Sequence, residues 1–360
     1  MNEPLLLYKK PTYPINNLLL DYLERYDRIS KVCVCYDDLL RFSGSVNVYD
    51  KNEIDTLWIR VYYTEFERIE IDLNLKKIYS YLHSDGNLDT IKFLNIDAID
   101  YCTFGNSKPF RIKVRNILND NYVYFYIKKA DASRVYGLEL EHILSPDKIH
   151  FLVYKDTLIE EHIIGIPGDV FMKTLLVNCT ENEKAQIAKE FVKFNERCMI
   201  RLLGDMRAYN YVIIPHHDFD HVVFKIRPID FDQQCYEGNF EIYKPQFFKE
   251  NYPMVQLVKD KLQESSIDQY KNEERAVLAK RIHSAENRVK RLLKIMDDDV
   301  IAPENHVKQL KLELYQYTRD LNFKKAKSMG NVLNATFEFI TRNYKNVTIF
   351  NSDFRNNSII

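Results

Sequence analysis

Apolar positions change their period several times along this chain. Ile15, Leu18, Leu19, Tyr22, Leu23 and Tyr26 recur at the three- and four-residue steps that line one face of a helix. KVCVCY, SVNVYD and DTLWIRVYYTEF then place β-branched and aromatic residues at strand spacing, with Gly44 and Gly86 marking turns. The pattern predicts an N-terminal α/β module over residues 1–100, either an interaction module or an extension of the next lobe, with Trp58 in mid-strand read as core ahead of a ligand platform.

From 101 the texture shifts. CTFGNSKPF is a loop containing Gly105, and FRIKVRNIL and YVYFYIKK flank Asn119-Asp120-Asn121 as the two strands of a hairpin that ends in Lys128 and Lys129. Val135, Leu138, Ile143 and Leu144 follow at helical spacing, closed by Pro146. KIHFLVYKD and TLIEEHIIGI read as two further strands, ending at Pro167-Gly168. Thr180 and Glu183 form a capping-box pair ahead of the stripe Ile187, Phe191, Phe194, Cys198 and Leu202. YVII and VVFKIRPI are strands joined by the polar turn HHDFDH, which holds His216 and His217. Beyond about 253 the chain reads as helical. Leu278 to Met296 and Val307 to Leu321 alternate steps of four and three, predicting an αα-hairpin over 273–322 with coiled-coil-like seams. Lys280, Arg281, Arg288, Lys290, Arg291 and Lys294 stud its first helix, either as a solvated face or as a surface for acidic groups.

Composition narrows the classes. The chain has 360 residues, 46% of them hydrophobic, enough for two or three cores. A net charge of −1 gives no global field for nucleic acid or an anionic membrane, so only local patches would draw such partners. Cys33, Cys35, Cys102, Cys179, Cys198 and Cys235 contain no CxxC pair and are expected as buried free thiols ahead of a zinc or disulfide role. MNEPLLLYKK lacks an apolar signal core, and no apolar run approaches the roughly 20 residues of a membrane span. A cytoplasmic setting is expected.

The chemistry concentrates in Leu202–Gly238. Asp205 and Asn210 stand five positions apart in GDMRAYN, and Asp230 follows the return strand in PIDFD. A carboxylate, an amide oxygen and a second carboxylate in this order supply a base and two oxygen ligands for a hard cation. GDMRAYN followed by PIDFD resembles the catalytic loop and metal motif of the protein-kinase-like superfamily. The aminoglycoside and choline kinase branch, with HGDxxxxN then IDF or IDW, resembles it most; phosphoinositide kinases carry the related GDRHxxN.

That resemblance implies Asp205 as catalytic base, Asn210 and Asp230 as Mg²⁺ ligands, and Asp232 as an accessory ligand. Arg207 stands where many protein kinases place the Lys that touches the transferred phosphate. FYIKK resembles the third strand of a kinase N-lobe, with Lys128 as the phosphate lysine, Lys129 as its alternative and Glu139 as the lysine's partner. TLIEEHIIGIPGD resembles the hinge, where backbone groups near Glu161 to Ile163 would hold adenine, and Gly105 and Ser107 would cap the phosphates. The implied fold class is α+β: a protein-kinase-like bilobal core with an N-lobe at 101–166, a helical C-lobe at 167–360 including the hairpin, and the α/β module in front. The implied activity is ATP- and Mg²⁺-dependent phosphoryl transfer to a hydroxyl acceptor, a small molecule or a protein. A protein partner would dock on the N-terminal module or the 273–322 hairpin. Leu203 in place of the family's His, with a loop containing only Gly105, leaves a nucleotide-binding pseudokinase scaffold as the alternative. Adenylyl transfer and a helical interaction module are the other readings.

Overall fold

The computed structural model describes residues 10–344 apart from 84, 85, 106, 219 and 220. Its N-terminal part is rich in sheet and its C-terminal part is helical. The chain divides into two compact units: a sheet unit of residues 14–135 and 148–162, and a helical unit of residues 10–13, 136–147 and 163 onward.

In the sheet unit, α1 (Asn17–Arg25) starts at Asn16, whose side chain accepts the Leu19 N–H at 2.8 Å and satisfies one orphan donor of the first turn. α2 (Tyr36–Leu39), β1 (Gly44–Tyr49), β2 (Asp55–Tyr62), α3 (Glu65–His83), β3 (Leu94–Cys102), β4 (Phe110–Asn116) and β5 (Tyr122–Lys129) follow. α4 (Ala132–Leu144) begins here and continues in the helical unit, after which β6 (Phe151–Tyr154) and β7 (Thr157–Glu161) complete the sheet. The seven strands run in the order β1-β2-β3-β4-β5-β7-β6, and every named pairing is antiparallel. Strand alternation sends Val61, Ile99, Phe110, Ile112, Phe125 and Ile127 to one face, where Leu75, Ile78 and Leu82 of α3 join them in the core. Each such fully buried side chain contributes roughly 1.5–3 kcal/mol of transfer free energy. The other face carries Trp58, Arg60, Arg111, Lys113, Tyr124 and Tyr126, none of them fully buried.

Four expectations change here. Residues 1–100 are not a separate module: the expected boundary falls inside β3, which pairs with β2 on one side and β4 on the other. KVCVCY is irregular rather than a strand. Val32 and Val34 still reach the core, but Tyr36 N–H bonds the Thr157 hydroxyl at 2.8 Å instead of a ladder carbonyl. Trp58 lies half-exposed on the open face, with the Arg111 guanidinium 4.4 Å from its ring centroid. The free thiols divide: Cys198 and Cys235 are buried, Cys33 is exposed, and the other three are intermediate.

The helical unit takes over at Ile163. β8 (Ile166–Pro167), α5 (Gly168–Thr174), α6 (Glu181–Arg201), β9 (Tyr211–Asp218) and β10 (His221–Pro228) lead into α7 (Tyr252–Lys261) and α8 (Glu264–Ser284). α9 (Glu286–Asp298), α10 (Glu304–Thr318), α11 (Leu321–Lys325) and α12 (Met329–Asn343) close it. The small sheet runs β10-β9-β8. The Thr180–Glu183 capping box forms in both directions, and α6 packs against α7, α8, α12 and β10 as the central helix. Buried ion pairs cross this bundle, Arg201 with Glu141 and Arg275 with Glu196, and Arg197 pairs with Glu190 along α6 itself at 2.6 Å. Removing one member of such a pair strands the other, at about 3–5 kcal/mol.

The coiled-coil hairpin over 273–322 does not form. The helix expected to run through 296 breaks at Ala285 (φ −109°, ψ 23°), and α9 turns its buried Val289, Leu292, Leu293 and Met296 to pack chiefly on α12. Heptad spacing specifies an apolar stripe but not which helix covers it. Part of the basic stud is consumed internally: Arg288 pairs with Glu139 at 2.6 Å and Arg281 donates to the Ser145 carbonyl at 2.8 Å. Among the described residues, no helix is long and apolar enough to cross a membrane.

The α9–α12 contact is close because Gly330 has no side chain; a Cβ there would lie 2.4 Å from the Met296 carbonyl carbon and the Asp297 nitrogen. Gly330→Ala is expected to destabilise the protein by about 1–3 kcal/mol through overpacking against rigid backbone. Urea denaturation measures this, and an unchanged midpoint would contradict the packing described.

Candidate functional site

The site begins where α6 ends. Leu202 at its C-cap is left-handed (φ 51°, ψ 46°), and Asp205 is left-handed again at φ 57°. Such backbone costs a non-glycine residue on the order of 1–3 kcal/mol and persists where the surroundings over-determine it. Here the main chain does so. Gly204 N–H donates to the Gln233 carbonyl at 3.2 Å, Asp205 N–H to Ile242 at 3.2 Å, and Cys235 N–H to Leu202 at 2.9 Å. The buried Gln234 amide donates to the carbonyls of Arg201 at 2.6 Å and Leu202 at 3.3 Å, satisfying acceptors the helix end leaves open. Leu203 is fully buried among these contacts.

Asp205 Oδ1 accepts from Arg207 Nε at 2.8 Å, and Arg207 donates a second bond to Glu250 at 3.0 Å. The Arg207 guanidinium also lies 5.2 Å from the Phe248 ring centroid. Burial holds the Asp205 carboxyl above its ordinary pKa; Arg207 opposes that shift, while the charges of Glu250 and Asp232 add to it. Asn210 donates Nδ2 to the Asp205 main-chain oxygen at 2.8 Å. That bond fixes the amide's orientation and leaves Oδ1, which accepts no hydrogen bond among the described residues, as the atom available to a cation. Ile229 N–H bonds the Asn210 carbonyl at 3.0 Å, so the end of β10 is tied to this loop, and Asp230 is the next residue. Asp230 Oδ1 accepts the Asp232 N–H at 3.1 Å.

The structure therefore gathers Asp205, Arg207 and Asn210 into one hydrogen-bonded cluster, with Asp230 one residue from the bond that joins β10 to it. Among the described residues no three His, Cys, Asp or Glu side chains group as a metal site. The donors on offer are one amide oxygen and a carboxylate. That set fits Mg²⁺, which fills the rest of its shell with water and phosphate oxygen.

In the sheet unit, Lys128 on β5 forms a buried ion pair with Glu160 on β7. Tyr126 is the register partner of Glu160 and Leu158 that of Lys128, so the pair lies on a diagonal of one sheet face. This corrects the expectation for Glu139: its carboxylate pairs with Arg288 in the helical unit, because α4 is buried along its length and its acids meet arginines of α6 and α9. Lys129 points the other way, more than half exposed, 3.7 Å from Asp37. Gly105 is left-handed at φ 82° with open space where a Cβ would be, and Ser107 is half-buried. Glu161 N–H is engaged with the His150 carbonyl at 3.0 Å, and Ile163 is buried. Gly105, Ser107, Lys128 and Glu161 belong to the sheet unit; Glu139, Ile163, Asp205, Arg207, Asn210 and Asp230 belong to the helical unit.

His216 and His217 lie within β9 rather than in a turn, and residues 219 and 220 of that turn lie outside the described set. Lys225 and Arg227 bond the Asp147 carboxylate and carbonyl, each at 3.0 Å. Sequence reasoning missed Glu160, Gln234, Phe248, Glu250 and Asn251. Asn251, wholly buried, donates to the carbonyls of Met206 at 2.8 Å and Pro245 at 2.7 Å, and accepts from the Tyr211 hydroxyl at 2.9 Å. No local motif marks a buried Asn forty residues downstream of the loop it braces.

No family model matches this chain, and no curated protein matches it. Among solved structures it is similar to one described as "Crystal structure of Rad53 1-466 in complex with AMP-PNP", at 12% identity and a TM-score of 0.29, covering 82% of this chain and 74% of that one. A likeness of that degree carries no argument about function.

Burial raises the folded pKa of Asp205 above its unfolded value, so ionising it costs stability. The cost is absent below the unfolded pKa, near 4 for a free Asp (about 3.9), and complete above the folded pKa. Asp205→Asn removes the cost. Its urea midpoint is expected to equal or exceed the parent's at neutral pH, with the difference vanishing in acid; a midpoint below the parent's at neutral pH alone would reverse the assigned sign.

Proposed function

We propose that this chain is an ATP-dependent phosphotransferase that moves the γ-phosphate to a hydroxyl acceptor. The observation that carries the proposal is the way Asn210 is held: its Nδ2 is spent on the Asp205 main chain, which leaves Oδ1 without a hydrogen bond among the described residues, and its main-chain carbonyl accepts the Ile229 N–H, one residue before Asp230. In this reading Asp205 orients the acceptor hydroxyl and accepts its proton as the oxygen bonds the γ-phosphorus and the β–γ bridging bond breaks, releasing ADP. Asn210 and Asp230 hold Mg²⁺, which when bound neutralises charge on the phosphates. Arg207 steadies the Asp205 carboxylate and faces the developing phosphoryl charge. Lys128, oriented by Glu160, grips the α/β-phosphates. A carboxyl with a raised pKa is a better proton acceptor at neutral pH than an ordinary one, so burial of Asp205 serves the step.

A second reading has its own observation. Asp205 Oδ1 is already held by Arg207, and Arg207 by Glu250. A site locked in that arrangement would bind nucleotide without transferring phosphate, as a pseudokinase scaffold.

Calorimetry and ADP release test both. ATP is expected to bind only with Mg²⁺, and Asn210→Ala and Asp230→Asn should each abolish that Mg²⁺-supported binding. Lys128→Met should weaken ATP binding. Asp205→Asn should retain binding and lower turnover roughly 10²–10⁴-fold. Binding with no turnover in the parent selects the scaffold; no nucleotide binding at all sinks both readings.

A further inference from the structure

Beside the buried Lys128–Glu160 pair, the same face of the seven-stranded sheet carries a partly exposed row of stacked groups that the proposed transfer does not use. Arg111 on β4 sits between two rings, its guanidinium 4.4 Å from the centroid of Trp58 on β2 and 5.3 Å from that of Tyr124 on β5. Tyr124 meets Tyr122 edge-on at 5.6 Å, and the Lys113 ammonium lies 4.2 Å from the Tyr122 ring centroid. The registers place these residues side by side: Asp100 opposite Arg111, Lys113 opposite Tyr124, and Arg115 opposite Tyr122. Tyr122 is 54% exposed and Tyr62, on the same face of β2, is 47% exposed.

The charge on this face is not balanced. Arg60 and Arg111 share the single buried carboxylate of Asp100, at 3.0 and 2.9 Å. Lys113 makes no direct ion pair among the described residues, its charge acting only at longer range on Asp97, whereas Arg115 is met directly by Asp97 and Asp120. The Trp58, Arg60, Arg111 and Lys113 end of the row therefore keeps a positive surplus although the chain as a whole is at −1.

We propose that this face binds single-stranded nucleic acid, the bases stacking on Tyr122, Tyr124 and Trp58 and the phosphates lying against Lys113 and Arg60. The chemistry points to that class for three reasons. Rings accept the faces of unpaired bases, cations spaced among them meet a repeating backbone charge, and the open face of an antiparallel sheet offers both over several nucleotides. A duplex hides its base faces and gains nothing from the rings.

Trp58 is the only tryptophan of the chain, so its fluorescence reports this face alone. Titrating the full chain with a fluorescein-labelled oligothymidylate of about 15 nucleotides at low salt should quench Trp58 and raise the label's anisotropy together. Tyr122→Ala is expected to weaken binding by at least about tenfold, while Tyr122→Phe, which keeps the ring, binds as the parent does. Lys113→Gln should weaken binding and flatten its salt dependence. Tyr122 is exposed, so the Ala variant is expected to keep the parent's thermal midpoint. The proposal is overturned by no quenching at low salt, by equal binding of Tyr122→Ala and parent, or by preference for a duplex of the same length.

Discussion

Everything at the candidate site depends on the reversal of the chain between Leu202 and Asp205. Two left-handed residues within four positions would unravel if they were held only by local contacts. They are held instead by a belt of main-chain bonds from Gln233, Cys235 and Ile242, and by the buried amides of Gln234 and Asn251. The Gln234 amide serves the Arg201 carbonyl and the Asn251 amide the Met206 carbonyl, so replacing either would leave a buried acceptor unpaired. The reversal also fixes the chemistry. With Asp205 in this conformation its main-chain oxygen meets the Asn210 amide and its carboxylate meets Arg207. One backbone constraint thus sets the orientation of the base, the amide and the guanidinium together.

The distribution of buried charge explains why α4 behaves unlike the helix expected at that place. A helix buried along its length must neutralise its acids internally. Glu139 meets Arg288 and Glu141 meets Arg201, both within the helical unit, and Lys225 and Arg227 converge on Asp147 just beyond the helix end. Lys128 is then left with the acid that its own sheet supplies, Glu160 on the neighbouring strand. The lysine is oriented by a rigid ladder and not by a helix, so shifting a helix would not by itself release it.

What could be read from the sequence follows the range of the interactions involved. The hairpin β4–β5 and the capped helix α6 rest on contacts a few residues long, and period and capping pair report them directly; the spacing of Asp205 and Asn210 reports only their mutual bond, not the distant residues that hold their loop. Glu160, Glu250 and Asn251 act across dozens of residues, and nothing near them in the chain signals a partner. Period also misleads where burial has two solutions. The Leu278–Met296 stripe fits a coiled-coil seam, yet the break at Ala285 lets α9 face α12 through the space that Gly330 leaves. KVCVCY alternates as a strand does and buries every second residue as a strand would, but without a ladder, because the Thr157 hydroxyl takes the Tyr36 N–H.

Trp58 shows the same limit from the opposite side. Hydrophobicity places a lone mid-strand tryptophan in the core, but a strand has two faces, and β3 carries a register shift between Ile96 and Ala98 that resets which side chains point inward. Past that shift Ile99 is in the core and Asp100 on the open face, where a nearly buried carboxylate must find cations. Arg60 and Arg111 answer it, and the apolar plane of Arg111 then lies against the rings of Trp58 and Tyr124. The aromatic row is therefore ordered by an ion pair beneath it. Rings held in this way lose little freedom on meeting a ligand, and that pre-ordering favours flat, unsaturated groups over flexible apolar chains.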